Sequence, residues 1–290
     1  MSKDIKIALC WFGQSRIAQL NEGFQDYSQW YKTWKFNNDL FDDYSVQHFG
    51  HTWDDQELPP NVDDFEWLER TNQEEILDWA LVEPHRRIQF PFRPGHPVQA
   101  WVDLSTTDKW NAILQMQKNI WGPQLSFSYG ANAALRHYSP DFIVTTRWDS
   151  YIDSMYDHPD GANKFKMIKS EMADTIDDSI SGGNTKSVYC ASGIKVKFRA
   201  SWVPDTMFII PASGDAHARK AFTYNDTPFQ SINKLIDSAY SNYGGDWNST
   251  GHGLWSDYFT NLGFNIKQGW TTQIIKIKTI DNWYKEYEGR

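Results

Sequence analysis

Cysteine is scarce. The 290-residue chain has two, Cys10 and Cys190, and no Cys-x-x-Cys pair. That excludes a zinc ribbon and a disulfide scaffold, and both thiols read as reduced, buried, small hydrophobes. Long apolar runs are absent too. None approaches the roughly 20 residues that a bilayer-spanning helix needs, and mean hydropathy is −0.64. The apolar stretch in the first ten residues is too short for a signal peptide, and no small-residue cleavage site follows it. A soluble cytoplasmic chain with no membrane span is expected. Basic residues are in deficit, 28 against 37 acidic, for a net charge of −9. That argues against a dedicated nonspecific nucleic-acid binder, which is usually basic. It leaves room for an enzyme that touches nucleic acid through one local patch. No internal repeat or low-complexity tract is visible.

Aromatic residues are what the chain has in excess. Its 15 Trp, 14 Tyr and 17 Phe make up 16% of the residues. Such a composition excludes intrinsic disorder. The rings either fill a core or offer stacking surfaces for sugars and bases.

Along the chain, residues 5–12 are an almost continuous apolar run ended by Gly13. They read as a buried strand of a parallel sheet. A helix at 16–35 and a second strand at 44–50, broken by Gly50, suggest a right-handed βαβ start. Residues 54–104 read as an insertion or lid. They contain a helical pattern at 64–80 and then Pro91, Pro94 and Pro97, which no helix runs through. A capping box at Ser105–Asp108 opens a helix at 106–121. Gly122-Pro123 breaks it, and another helix covers 125–138. Residues 141–146 are a strand. Residues 154–186 read as a loop with one short helix, and 187–199 as a hairpin. Asp205–Pro211 is an acid-led strand, followed by helices at 214–222, 228–242 and 254–262 and a strand at 263–268. The fold class is α/β: a single domain, 1–290, with a mixed, mainly parallel sheet flanked by helices.

Three polar segments follow apolar strands: Gly13-Gln14-Ser15-Arg16, His51-Thr52-Trp53-Asp54 and Arg147-Trp148-Asp149. Each can be a simple turn. Loops at successive carboxyl ends of parallel strands nevertheless converge on one crevice, where α/β proteins bind ligands. Gly13 permits close approach, and Arg16 and Arg147 suit phosphate, Arg147 by a bidentate contact. Asp54 suits a ribose hydroxyl or a nucleobase N–H, and Trp53 suits stacking. The acids at 147–153 either cap a turn or bind Mg²⁺ or Mn²⁺, hard cations that share carboxylates with substrate phosphates.

The chain resembles a family of nucleotide-sugar glycosyltransferases from tailed phages, large viruses and bacteria with a GT-A-like α/β fold. Four segments carry the resemblance in order. Ile7-Ala-Leu-Cys-Trp-Phe-Gly-Gln-Ser-Arg16 is similar to the family's first strand and SGQPR-like loop. Val46-Gln-His-Phe-Gly-His-Thr-Trp-Asp54 is similar to its VDVFIHTWD segment. Phe127–Leu135, containing Asn132, is similar to a family helix, and Asp141–Asp149 is similar to YDFVIRTRFD. The later acid-led strand at Asp205 and the helix and strand over 254–266 also look like the family's. Trp11-Phe12 and Ser15 depart from it.

The resemblance implies transfer of a sugar from a nucleotide-diphosphate sugar, UDP-linked by preference, to an acceptor hydroxyl. It implies donor contacts from Gly13, Gln14, Arg16, Thr52, Trp53, Asp54, Asn132 and Arg147. Residues 127–153 would carry the donor and metal motif, and 187–268 the acceptor side. Arg147-Trp-Asp149 takes the place of the family's Asp-x-Asp metal motif, so Arg147 replaces the first acid. Asp149 is left as the ligand for Mn²⁺ or Mg²⁺, with His252 as a second, while His48, His51 and His137 read as structural. Asp205, or else Asp257, would act as general base toward the acceptor. The acceptor is either a glycan or 5-hydroxymethylcytosine in phage DNA, flipped from its stack. Lys195, Lys197 and Arg199 share one strand face. With Arg86, Arg87 and Arg93 they either face solvent or form a local phosphate patch. No protein partner is expected. The alternative is a catalytically silent nucleotide- or glycan-binding module.

Overall fold

The computed structural model describes residues 4–13, 28–54, 56–72, 106–148, 150–154, 161–191, 207–222, 255, 258–260, 262–270 and 272–276. Strand β1 (Lys6–Phe12) is buried on both faces, as its continuous apolar run requires. It pairs in parallel with β2 (Ser45–Trp53) on one side and β4 (Phe142–Arg147) on the other. Beyond β2 lies parallel β3 (Phe65–Thr71). Beyond β4, β7 (Met207–Pro211) runs antiparallel, followed by β6 (Ser187–Ala191) and β8 (Asn265–Trp270), which run with β4. The order is β3-β2-β1-β4-β7-β6-β8, and β5 (Ser150–Ser154) pairs with β9 (Thr272–Lys276) in a separate ribbon. Among the described residues the protein is therefore an α/β fold on a mixed, mainly parallel seven-stranded sheet.

Alternation in β1 divides the core. Ala8, Cys10 and Phe12 face helix α2 (Thr106–His137), helix α4 (His217–Phe222) and the helical residues Trp255, Tyr258 and Phe259. Ile7, Leu9 and Trp11 face helices α1 (Ser28–Asp39) and α3 (Gly161–Ser181). Helix α3 presents Phe165, Ile168, Met172 and Ile176, an i, i+3, i+7, i+11 stripe laid on the sheet. Burial pushes the Cys190 thiol up to about 12, and it raises that of Cys10 as well.

Four expectations need correction. Residues 65–71 are not helical and belong to the main sheet rather than to an insertion. Trp67 pairs with Phe49 and Leu68 with Gly50, so packing against β2 decides a segment whose periodicity fits either state. Residues 73–104 lie outside the described residues. Gly50 does not end β2, which runs on to Trp53. A side chain there would meet Leu68, Phe65 and Trp148 at 2.7–3.0 Å, so the glycine makes room for those rings and Leu68. Helix α2 does not break at Gly122-Pro123. Gly122 gives the proline ring little to strike, and burial of the face beyond it outweighs a local penalty of about 3 kcal/mol. Residues 161–181 are a long helix rather than a loop. Among the described residues, no helix is long and apolar enough to cross a membrane. Residues 16–27, 192–199 and 228–242, which carried further expected elements, lie outside the described residues, as do Arg86, Arg87 and Arg93.

Candidate functional site at the carboxyl edge of the sheet

The chain builds outward from β1 in two directions, to β2 and β3 on one side and to β4 on the other. The topological switch point thus lies between the carboxyl ends of β1 and β4, where open α/β sheets bind ligands. Phe12 and Arg147 are register partners there, and Arg147 is half-buried. Gly13 follows at φ 92°, a left-handed conformation that favours glycine. Among the described residues, nothing lies within 4 Å of where a Cβ at Gly13 would stand. At the end of β2, Asp54 is exposed and its N–H donates to Thr71 O at 3.0 Å, tying the β2 end to β3. Because β7 is antiparallel, its first residue Met207 pairs with Thr146 at this same edge.

His51 joins these strand ends. Its ring is fully buried, and burial lowers its pKa to about 3, so it is neutral. Nδ1 lies 3.0 Å from Ser126 Oγ and Nε2 lies 2.9 Å from Thr71 Oγ1. The Ser126 hydroxyl donates to His51 O at 2.9 Å and accepts the Gly13 N–H at 2.7 Å. Proton counting then assigns the tautomer. With its own proton directed at His51 O, Ser126 can only accept from the ring, so Nδ1 carries the hydrogen. Nε2 accepts from the Thr71 hydroxyl. Trp148 Nε1–H also donates to His51 O at 2.9 Å, and Tyr129 stacks on the imidazole at 4.6 Å. Burial and the nearby Glu69 push the Tyr129 phenol up to about 12.

No protein-family model matches the chain, and a search of curated proteins gives no match.

The residues expected at the site divide into four groups. Gly13, Asp54 and Arg147 come together at the carboxyl edge as the ends of neighbouring strands. Thr52 and Trp53 end the same β2, but they are buried, Thr52 fully and Trp53 to 1% exposure. Trp53 makes an edge contact with His51 at 5.1 Å, so its ring is core rather than an open stacking platform. Trp11, Phe12 and Trp148 are buried in the same way. Asn132 lies six residues beyond Ser126 on α2, about 9 Å farther along the helix axis. Its amide donates to Phe222 O at 2.5 Å, which fastens α4 instead of meeting a ligand at the edge. Gln14, Arg16, Asp149, Asp205, His252 and Asp257 lie outside the described residues, as do Lys195, Lys197 and Arg199. Among the described residues, no three His, Cys, Asp or Glu side chains gather as a metal site.

His48, three residues earlier on β2, is structural as expected. It stacks on Trp34 at 3.7 Å, accepts the Trp11 indole N–H at Nδ1, and pairs with Asn38 through Nε2. Reading the sequence missed Ser126 and Thr71. Ser126 sits between Leu125 and Phe127 in a buried helix, and only the packing of α2 across β1 and β2 gives its hydroxyl a task.

Proposed function

We propose that the chain is a GT-A-like glycosyltransferase that moves a sugar from a nucleotide-diphosphate sugar to an acceptor hydroxyl. The observation that carries the reading is the topological switch point: Gly13, Arg147 and Asp54 stand at the carboxyl ends of β1, β4 and β2. A mixed, mainly parallel sheet agrees with the resemblance. In this reading the Gly13 turn lets the diphosphate approach backbone. Arg147, a permanent cation, forms a bidentate contact with it and offsets charge on the leaving diphosphate. Asp54 accepts a hydrogen bond from the ribose or base. On the acceptor side, Asp205 precedes the start of β7 by two residues and takes the proton of the attacking hydroxyl.

Mg²⁺ or Mn²⁺ would be held by Asp149 and His252, and when bound would screen the diphosphate charge. The described donor set at this edge, Arg147 and Asp54, does not by itself fit a divalent ion, so every step above rests on protein groups. Arg147 in place of an acid is also the observation that favours the second reading, a catalytically silent nucleotide- or glycan-binding module.

Thermal shift with UDP and GDP, each with and without Mn²⁺, tests the donor site. Mass spectrometry with a donor panel tests turnover on oligosaccharides and on 5-hydroxymethylcytosine DNA. The expected result is donor-dependent stabilisation and one sugar-sized mass gain. Stabilisation without any mass gain would establish a silent nucleotide-binding module, and the absence of both effects would sink the enzyme reading.

A further inference from the structure

We propose that Ser126, His51 and Thr71 form a positioning relay that sets the spacing of the three donor-site loops; the proposal rests on the glycosyltransferase reading. Parallel pairing of β1 with β2 ends at Trp11 and Gly50. One step farther, a ladder would continue by direct backbone bonding. Here the Ser126 hydroxyl stands between the strands, accepting from Gly13 N–H at 2.7 Å and donating to His51 O at 2.9 Å. Two hydrogen bonds in series replace one. The strand ends are held apart by the width of a hydroxyl, and the Gly13 turn is fixed at that separation.

The same carbonyl oxygen spends its other lone pair on the indole N–H of Trp148, at 2.9 Å. Trp148 directly follows Arg147, so the β1 loop and the β4 loop hang from a single oxygen atom. The imidazole holds the arrangement from behind. Its Nδ1–H directs the Ser126 hydroxyl, and its Nε2 takes the Thr71 hydroxyl at 2.9 Å. Thr71 O in turn accepts from Asp54 N–H at 3.0 Å, which brings in the third loop. Each loop carries one of the donor contacts of the proposed site: the Gly13 turn, Arg147 and Asp54. Ser126, His51 and Thr71 act on the donor only through them.

Core packing alone does not ask for this network. Ser126 and His51 are fully buried, and well-packed apolar residues fill such space at no cost in hydrogen-bond satisfaction. What the hydroxyl and imidazole supply is direction, and a misplacement of one ångström is enough to weaken catalysis and binding.

Ser126→Ala and Ser126→Thr test the relay, with Thr71→Val as a milder break at its outer end. Three quantities are read: nucleotide-diphosphate affinity by calorimetry, donor KM against kcat, and the Trp148 indole amide resonance, assigned by its loss in Trp148→Phe. Ser126→Ala is expected to weaken UDP or GDP binding and raise donor KM roughly tenfold and to move the Trp148 resonance. Ser126→Thr restores all three, and Thr71→Val gives the same changes at smaller size. If Ser126→Ala lowers the unfolding midpoint but leaves affinity and KM within twofold, the positioning role is overturned. If the wild-type chain binds no nucleotide, the glycosyltransferase reading has failed and the donor role falls with it. The resonance separates the cases: an unmoved Trp148 signal in Ser126→Ala shows that the relay itself is absent in solution.

Discussion

Strand β2 carries two buried histidines on opposite faces, and they do different things. His48 and His51 are an odd number of residues apart, so pleating sends them to opposite sides of the sheet. Burial lowers both pKa values to about 3. His48 lies among rings: Trp34 at 3.7 Å, Phe65 at 6.0 Å and Trp11 at 6.3 Å, with Trp11 itself on Trp34 at 5.4 Å. Its nitrogens serve one packed interface, α1 against the sheet. His51 has one stacked ring, Tyr129, and spends its polar atoms on strand ends. Their tautomers are opposite. Accepting from Trp11 leaves His48 with hydrogen on Nε2, whereas His51 carries it on Nδ1. Equal burial therefore says little about role; what the ring nitrogens hold decides it. One region is fixed by volume and the other by direction.

The sharpest way to separate the two regions acts at the edge. Arg147→Ala is expected to lower kcat/KM for donor by roughly 10²–10³, the size seen when one charge-stabilising group is lost. Its unfolding midpoint should stay near that of the wild type, because Arg147 is half-buried at a strand end. Steady-state kinetics beside urea unfolding checks both. An equal loss of stability and activity would make Arg147 a core residue and erase the contrast.

His48→Ala should do the reverse. It removes a ring from a close stack and strands the Trp11 indole N–H that His48 accepts at 3.1 Å. A cost of about 3–4 kcal/mol is expected from the cavity and the orphaned donor together. Nucleotide affinity of the folded fraction should hold within about twofold, since none of its partners among the described residues belongs to the edge loops. A tenfold loss of affinity would show that the aromatic region also shapes the site.

Much of the sheet was legible in the sequence, and the reasons are local. β1 and β4 are short apolar runs, and β7 is apolar throughout with an acid before it. Their identity as strands needs no partner to be recognised. β3 was not legible, because Phe-Glu-Trp-Leu-Glu-Arg-Thr suits a helix or an edge strand, and only β2 beside it decides. Helix α3 had its stripe in plain sight at Phe165, Ile168, Met172 and Ile176, but the many polar residues between them drew the reading toward a loop. At the site, Gly13, Asp54 and Arg147 were legible as chemistry just past buried strands. The relay was not. Ser126 is 75 residues from His51, and Thr71 is 20. No spacing rule links hydroxyls to an imidazole across three separate elements.

A pH series puts the two histidines on one scale. Each is neutral when folded, with a pKa near 3, against an unfolded value near 6.5. Below pH 6.5 the unfolded chain binds the extra protons, so stability is full above that pH and falls as pH drops toward 3. Between pH 6 and 5 the pair should cost roughly 2–3 kcal/mol. Urea midpoints for wild type, His48→Gln and His51→Gln measure it. Each single variant should flatten the slope by about half. A variant that leaves the slope unchanged would mean that its histidine is open to water and protonates in the folded state.

The smallest effect is expected two residues from Ser126, where satisfaction fails instead of being complete. Gln124 on α2 is fully buried, and neither its amide nitrogen nor its amide oxygen has a hydrogen-bond partner among the described residues. A buried unpaired polar group costs about 1–3 kcal/mol, whereas an apolar group of similar shape avoids that cost. Gln124→Leu should therefore leave the unfolding free energy unchanged or raise it by up to about 1 kcal/mol. Ser126→Ala, which orphans the Gly13 N–H and the His51 ring N–H, should lower it. Opposite signs from two buried polar residues within one turn of α2 would show that the relay, not polarity as such, is what α2 contributes to the edge. A clear loss of stability in Gln124→Leu would instead mean that an ordered water pairs with its amide in solution, and that buried polar satisfaction on α2 is not confined to Ser126.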